Sequence, residues 1–171
     1  MKTNRYILGL DPGLADFGYA ILHEYESRAV MIVCGSWRTP ADAEMGIRLQ
    51  FIYEKLQILL KEYKPALAGI EKIFFKKNIS SGITVAHARG VCILGLCQKN
   101  IPIFEMTPAE VKNTVAGSGN ADKFQMSKAV QSQLHLPSIP RPDDAVDAAA
   151  VALATLYATR LSRRISLANI A

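Results

Sequence analysis

The segment Tyr6–Gly13, with the sequence Y-I-L-G-L-D-P-G, constrains the fold of this chain more than any other stretch. Its apolar residues have the composition of a short buried strand, and Pro12-Gly13 ends that strand in a tight turn. Asp11 is therefore predicted at the end of a strand deep in the fold, where an unpaired carboxylate is costly. Asp11 is either a turn residue that caps backbone amides or a metal ligand, and the second interpretation requires further carboxylates at the same place.

Length and composition indicate one globular domain. The chain has 171 residues, of which 50% are hydrophobic and 20% are charged, so it is long enough to bury a sizeable core. We expect no signal peptide, because Asp11 interrupts the first apolar run, and no membrane association, because the Ala-rich run 148–158 is shorter than the roughly 20 apolar residues that span a bilayer. Cys34, Cys92 and Cys97 are odd in number and lack the C-x-x-C spacing of a zinc site, which predicts buried thiols in a reducing compartment and hence a cytoplasmic protein.

The charges are unevenly distributed along the chain. The net charge at pH 7 is +5, and no acidic residue lies between Glu71 and Glu105 or after Asp147. A basic protein that keeps particular acids at the ends of strands and helices has the balance expected of a metal-dependent enzyme acting on nucleic acid. The same modest charge occurs in many proteins with other functions, so charge alone does not decide between them.

The predicted elements begin with three strands in an antiparallel meander. After the first strand, residues 17–23 and 29–37 have strand composition and are joined by a short polar turn. Thr39-Pro40 then predicts the start of a helix, with Thr39 as its N-cap. The helix ends at Pro65 and carries an apolar stripe at every third or fourth position. The stripe consists of Met45, Leu49, Ile52, Leu56, Leu59 and Tyr63.

A second carboxylate follows the next apolar strand, which is predicted over residues 66–70. Glu71 comes directly after this strand. If the strand lies parallel beside the first, Asp11 and Glu71 meet at the carboxyl-end edge of the sheet, where ligands of open α/β sheets bind. A salt bridge between Glu71 and a nearby lysine is the alternative.

The segment 72–78, K-I-F-F-K-K-N, combines aromatic and basic side chains in a predicted loop. Phe74 or Phe75 could stack on nucleic-acid bases, and the alternative is that one of the rings fills the core. The following helix, predicted over residues 80–98, is apolar on more than one face, which suits burial against another part of the chain or against a second subunit.

The last third of the chain is predicted to form a strand and three helices. Residues 101–106 read as a strand, and Thr107-Pro108-Ala109-Glu110 is a capping box that opens a helix. The turn A-G-S-G-N at 116–120 is only a weak signal for a phosphate cradle. A helix over residues 121–134 follows, and a proline-rich connector leads to the final helix.

The final helix opens with the acidic segment D-D-A-V-D at Asp143–Asp147. Asp144 and Asp147 are three residues apart and Asp143 and Asp147 are four apart, so both pairs share a helix face and spacing does not choose between them. The helix dipole alone explains acids in the first turn, but it explains Asp147 less well. A run of small residues after Asp147 suits close packing.

Strand ends and one helix face thus supply four carboxylates: Asp11, Glu71, Asp144 and Asp147. Clusters that offer only oxygen suit Mg²⁺ or Mn²⁺ rather than zinc, and a pair of such ions can hydrolyse a phosphodiester. The three histidines are scattered along the chain, so no Ser–His–Asp or Cys–His arrangement competes with this interpretation.

Five motifs, in this order and spacing, resemble the RuvC Holliday junction resolvases, a family within the ribonuclease-H-like superfamily. The motifs are I-L-G-L-D-P-G at Ile7–Gly13, I-E-K-I-F at Ile70–Phe74, A-R-G-V at Ala88–Val91, V-K-N-T-V-A-G at Val111–Gly117 and D-D-A-V-D-A at Asp143–Ala148. The resemblance implies an α/β fold of the ribonuclease-H-like type, with a five-stranded mixed sheet and helices on both faces. It also implies one nuclease domain over residues 1–160, followed by a C-terminal tail over residues 161–171.

The resemblance implies a structure-selective endonuclease that resolves Holliday junctions during homologous recombination and DNA repair. Such enzymes make paired symmetric nicks that leave 5′-phosphates, and they act by two-metal-ion hydrolysis. The implied cofactor is Mg²⁺, with two ions per active site and Mn²⁺ as a substitute. The implied partners are four-way junction DNA and a second copy of the chain, and a branch-migration motor complex is a further candidate.

Residue roles also follow from the resemblance, position by position. The four carboxylates match metal ligands, and the family's D-x-x-D pattern selects Asp144 over Asp143. Lys112 and Lys123 match basic residues that hold DNA phosphate or support the transition state, so Lys123 is a further catalytic candidate. Phe74 matches an aromatic residue that stacks on unpaired bases, although Phe75 beside it could take that role. The candidate DNA contacts are Phe74, Phe75, Lys76, Lys77, Arg89, Lys112 and Lys123.

Three alternative functions remain to be considered. The G-L-D-P-G motif also resembles the first phosphate loop of actin-like ATPases and sugar kinases, but those are usually longer two-domain proteins, and this chain is too short to close over a nucleotide. A non-catalytic junction-binding module would not need acids at strand ends. A related nuclease that acts on structured RNA is the nearest alternative.

Overall fold

A five-stranded mixed sheet forms the centre of the computed structural model, which describes residues 4–26, 28–73 and 79–168, without the side chains of 79–81 and 163–168. The strands are β1 (Asn4–Asp11), β2 (Asp16–Tyr25), β3 (Arg28–Arg38), β4 (Leu67–Glu71) and β5 (Ile103–Met106). Their order across the sheet is β3-β2-β1-β4-β5. The meander β1-β2-β3 is antiparallel, whereas β4 pairs parallel with both β1 and β5.

Helices cover both faces of the sheet, which confirms the predicted fold class. The helices are α1 (Met45–Tyr63), α2 (Ile79–Cys97), α3 (Pro108–Ala116), α4 (Lys123–Gln133) and α5 (Asp143–Ala168). One hydrophobic core lies between the sheet and α1 and α2, and a second lies between the sheet and α3, α4 and α5. Among the described residues, no helix has both the length and the apolar character that a bilayer-spanning segment requires.

Small residues allow α5 to lie directly against the sheet. A methyl group at Gly9 of β1 would overlap the carbonyl oxygen of Ala148, and one at Gly69 of β4 would overlap the side chain of Thr155. The predicted close packing of the run after Asp147 is therefore confirmed. Because α5 crosses the middle of the sheet at such short range, its first turn is held beside the carboxyl end of β1.

A buried ion-pair network holds the other end of α5. Glu24 of β2 is 1% exposed and accepts hydrogen bonds from Arg5 at 2.6 Å and from Arg160 of α5 at 2.7 Å. Burial by itself would raise the pKa of Glu24, but the hydrogen bonds from the two arginines lower it below its ordinary value. The helix continues without a break past residue 160 to Ala168, so residues 161–168 extend α5.

The predicted N-cap of the first helix is wrong. α1 begins at Met45, after Glu44 rather than after Thr39. Thr39 is 3% exposed, and its hydroxyl donates to the carbonyl of Leu14 at 2.6 Å while it accepts from Arg48 at 2.8 Å. The hydroxyl therefore fixes the turn that follows β1 and is not available as a helix cap. Met45, placed in the apolar stripe by the sequence, is exposed.

The capping box predicted at Thr107 and Glu110 is present at the start of α3. α4 begins at Lys123, two residues later than expected, because Asp122 and Gln125 form a second capping box. Lys123 is consequently the first residue of its helix, next to a fixed cap.

Candidate active site

The ends of β1 and β4 bring two carboxylates together. Leu10 of β1 pairs with Ile70 of β4 in parallel register, and Asp11 and Glu71 are the next residues on their strands. Parallel strands are about 4.8 Å apart, so the two residues are neighbours at one edge of the sheet. The predicted meeting of the two strand ends is confirmed.

A cleft of about 240 Å³ opens at this edge of the sheet. Its charged lining consists of Asp11, Glu71, Lys112, Lys123 and Asp147. The strands supply two acids, α5 supplies the third, and α3 and α4 each contribute one lysine. The remaining lining residues are Pro108, Val111, Met126 and Ala150. The fold therefore brings together three of the four predicted carboxylates and both predicted lysines.

Burial and mutual repulsion raise the pKa values of the strand-end acids. The pKa of Asp11 rises to about 7, chiefly because the carboxyl is buried and then because Asp147, Glu71 and Asp144 place negative charge nearby. Burial and the charge of Asp147 likewise raise the pKa of Glu71 to about 7. The lysines act in the opposite direction: Lys123 lowers the pKa of Asp11, and Lys112 lowers that of Glu71.

Asp147 is half-buried and shares this electrostatic environment. Burial raises its pKa, while Lys123 and Lys112 oppose the rise. The remaining part of the shift comes from Asp144 and Asp143, whose negative charges also raise the pKa of Asp147.

The two acids at the start of α5 differ in their surroundings. Asp143 is 62% exposed and forms ion pairs with Lys123 at 3.9 Å and with Arg141 at 3.3 Å. Asp144 is half-buried beside the cleft, where a methyl group at Gly18 would overlap its carbonyl oxygen. The charge of Asp144 contributes to the raised pKa of Asp11, and that of Asp143 is not among the causes.

The donor chemistry of the cleft fits a hard divalent cation. The acidic side chains offer only carboxylate oxygens, which Mg²⁺ and Mn²⁺ prefer. Elevated pKa values at Asp11 and Glu71 mark a place where a bound cation would relieve repulsion. In their present side-chain positions, no three Asp, Glu, His or Cys groups within the described part of the chain converge closely enough to enclose an ion. Holding one would require the carboxylates to turn toward each other.

The other predicted DNA contacts are not brought to this cleft. Arg89 lies on α2, where its guanidinium forms an ion pair with Glu105 of β5 and its side chain is only 19% exposed. Because its charge is already matched, the geometry favours a role in joining α2 to β5, and its DNA contact stays an untested prediction. The remaining candidates in the loop after Glu71 lie outside the described residues; they are Phe74, Phe75, Lys76 and Lys77.

An exposed ion pair at the same edge of the sheet was missed from the sequence. Arg38, the last residue of β3, pairs with Asp16 of β2 through a hydrogen bond of 2.7 Å. The sequence could have predicted that Arg38 lies near this edge, because a three-strand meander returns the end of its third strand to the edge where the first strand ends. Only the register shows that Arg38 and Asp16 face each other there.

Comparisons with known proteins relate the sequence to one family. The family model described as "Crossover junction endodeoxyribonuclease RuvC" matches residues 7–155. Proteins of that name from Roseiflexus sp. (strain RS-1) and Syntrophomonas wolfei are 44% and 46% identical, covering 92% and 91% of this chain and 94% and 91% of their own.

Solved structures show the same fold. Thermus thermophilus RuvC, in complex with Holliday junction substrate, superposes with a TM-score of 0.87 at 24% identity and covers 92% of this chain and 96% of its own. A second structure of Thermus thermophilus RuvC gives a TM-score of 0.83 at 23% identity, over the same shares of the two chains. The family match and the curated relatives extend over most of the sequence. The chain belongs to the RuvC family of crossover junction endodeoxyribonucleases.

Proposed function

We propose that this protein is a Mg²⁺- or Mn²⁺-dependent endonuclease that resolves four-way DNA junctions by paired, symmetric nicks leaving 5′-phosphates. The observation that carries the proposal is the cleft in which Asp11, Glu71 and Asp147 face Lys112 and Lys123. Relatives that share more than two-fifths of the sequence are named as crossover junction endonucleases, and a Thermus relative was solved with a Holliday junction.

Asp11, Glu71, Asp144 and Asp147 are the proposed metal ligands. When bound, two divalent ions supply an activated water and stabilise the leaving oxygen of the phosphodiester. Asp144 is preferred over Asp143 because its negative charge raises the pKa of Asp11. Asp143 instead forms ion pairs with Lys123 and Arg141 at the surface.

The two lysines have separate proposed roles. Lys123 begins α4, is 80% exposed and acts electrostatically on both Asp11 and Asp147, so it can offset charge that develops on the phosphate. Lys112 acts on Glu71 and Asp147 from α3 and can hold the phosphate of the bound strand. Neither lysine needs to transfer a proton for these roles.

A homodimer is proposed because the outward face of α2 is apolar. Ile83 and Leu94 are 50% and 55% exposed, and their separation of 11 residues is three turns, so they lie on one face. Gly90 lies between them on that face, and among the described residues nothing outside its own stretch of helix comes within 4 Å of where a Cβ would be. A second copy of the chain seated there would place two active sites on two strands of a junction. A cytoplasmic location and a branch-migration motor partner stay predictions.

The experiment is cleavage of a synthetic four-way junction beside a linear duplex and a structured RNA of matched length. With Mg²⁺ we expect paired nicks in the junction alone, and EDTA should abolish them. If the protein binds the junction but does not cleave it with any divalent metal, the protein is a non-catalytic junction-binding module. Preferential cleavage of the RNA would favour the related nuclease.

A further inference from the structure

Arg38 combines high exposure with a fixed orientation at the edge of the sheet. Its Nε donates to Oδ1 of Asp16 at 2.7 Å, yet the side chain is 81% exposed. An ion pair this open to water contributes little to folding stability. The pair therefore needs an explanation other than holding β2 against β3.

The register of the sheet places this pair on the active-site side. Asp11 is opposite Gly18, Gly18 is opposite Ser36, and Asp16 is opposite Arg38. Partners across strands share a face, and residues two apart along a strand share it too. Arg38 and Asp16 therefore lie on the face that carries Asp11, just beyond the end of β1. Two strand spacings of about 4.8 Å separate β3 from β1.

The electrostatic environment of Arg38 is consistent with this position. The hydrogen bond to Asp16 and its charge are the main reasons that the pKa of the Arg38 guanidinium is raised, and the charge of Asp144 adds to the rise. Asp144 stands at the start of α5, where its carbonyl oxygen lies against Gly18 of β2, the strand next to β3. Lys112 and Lys123 therefore line the cleft itself, and Arg38 adds a third cation from β3, near Asp144.

The guanidinium retains donors for a ligand. Arginine has five N–H donors in a planar fork, and the hydrogen bond to Asp16 uses only the one on Nε. No other hydrogen bond joins Arg38 to the described part of the chain. The two terminal amino groups form the pair of donors that binds a phosphate through two oxygens. Asp16 fixes the plane of that fork and leaves its outer edge exposed.

We propose that Arg38, held by Asp16, binds a DNA phosphate next to the scissile one and so forms a phosphate subsite on the β3 side of the cleft. Arg38 is the binding residue, and Asp16 is a positioning residue that acts through it. This inference rests on the proposed action on DNA, and it adds a contact that aligns the strand across the carboxylates.

The test measures junction affinity as a function of salt, in EDTA, together with single-turnover cleavage in Mg²⁺. Arg38→Ala should weaken binding by about tenfold and lower the slope of log affinity against log salt by about one, because one phosphate contact is lost. Arg38→Lys should retain the slope and recover part of the affinity. The matched control is Arg28→Ala, which removes the same charge from the exposed opposite end of β3 and should change neither value.

Asp16→Asn separates phosphate binding from a structural role. It keeps an oxygen acceptor for Nε but removes the negative charge, so the salt slope should stay as in the wild type. The inference is overturned if Arg38→Ala leaves affinity and slope unchanged, or if Asp16→Asn and Arg28→Ala reproduce its effects. Thermal unfolding verifies that each variant is folded.

Failure of the proposed function would give a different result. If the wild-type protein never cuts junctions, the proposed function is wrong, but the phosphate subsite can still be tested through the salt dependence of DNA binding. If the wild-type protein cuts junctions and Arg38→Ala has no effect, only the proposed phosphate subsite is wrong.

Discussion

Gly9 lies directly beneath the carbonyl oxygen of Ala148, with no space for a side chain between β1 and α5. This contact connects the first motif of the sequence to the last. It fixes how far the start of α5 lies from the end of β1, and thereby the separation of Asp147 from Asp11. The geometry of the cleft depends on a residue that has no functional group.

Gly9→Ala should therefore destabilise the protein and impair cleavage together. The added methyl group would overlap the backbone of Ala148, and relieving the overlap must push α5 away from the sheet. We expect a loss of about 1–3 kcal/mol in the free energy of unfolding, as for other overpacked cores. Urea denaturation measures the loss. The control is Gly46→Ala in α1, where no described residue outside the adjoining helix comes within 4 Å of the new methyl group, so the free energy of unfolding should stay the same or rise. Equal stabilities of the two variants would contradict the account.

Without metal, the protein should become less stable as the pH rises from about 4 to about 7. The ordinary pKa values of Asp11 and Glu71, 3.8 and 4.5, apply to the unfolded chain, and both rise to about 7 on folding. Between these values the folded state binds more protons than the unfolded state, so raising the pH favours unfolding. Chemical denaturation in EDTA across this range measures the slope.

Asp11→Asn should flatten that slope, because it removes the more deeply buried of the two titrating groups. Mg²⁺ should stabilise the wild type more at pH 8 than at pH 5.5, because metal binding requires deprotonated carboxylates. Because Glu24 has a lowered pKa and contributes stability as the pH rises, the contradicting result is a wild type and an Asp11→Asn variant with the same slope.

Lys123→Ala should reduce the cleavage rate by about 10²-fold, as expected when one group that stabilises developing charge is removed. It should also move the midpoint of the pH–rate profile to higher pH, because Lys123 lowers the pKa values of Asp11 and Asp147. Single-turnover rates from pH 6 to pH 9 measure both effects. Lys128→Ala is the control, since it removes the same charge from the same helix outside the cleft. An unchanged cleavage rate would contradict a catalytic role for Lys123, and an unchanged midpoint would contradict its effect on the pKa values of Asp11 and Asp147.

The convergence of Asp11 and Glu71 could be predicted from the sequence because it depends only on strand order. A strand, a helix and a second parallel strand must return to the same edge, whatever the details of packing. The choice between Asp143 and Asp144 was different. Their spacings from Asp147 suit one helix face equally well, so the choice of Asp144 came from the D-x-x-D pattern of the resemblance, and in the fold Asp144 is half-buried whereas Asp143 is exposed.

Two local signals could not be interpreted from the sequence. The dipeptide Thr39-Pro40 is compatible both with a helix N-cap and with a turn. The hydrogen bonds that place Thr39 in a turn are made to Leu14 and Arg48, which lie outside the local sequence pattern. Arg38 was overlooked because its partner Asp16 is 22 residues away, and its significance depends on the register of β2 with β3. Such contacts arise from tertiary structure, which local patterns do not encode.

The most direct test of the proposed active site compares two adjacent isosteric substitutions, Asp144→Asn and Asp143→Asn, on a synthetic four-way junction with Mg²⁺. Both remove one negative charge from the first turn of α5, so effects on the helix dipole are matched. Asp144→Asn should lower the single-turnover cleavage rate by at least about 10²-fold while junction binding in EDTA is retained, because a metal ligand is lost. Asp143→Asn should stay within about threefold of the wild type, as expected for a surface ion pair. Equal loss in the two variants, or full activity of Asp144→Asn, would contradict the proposed ligand set.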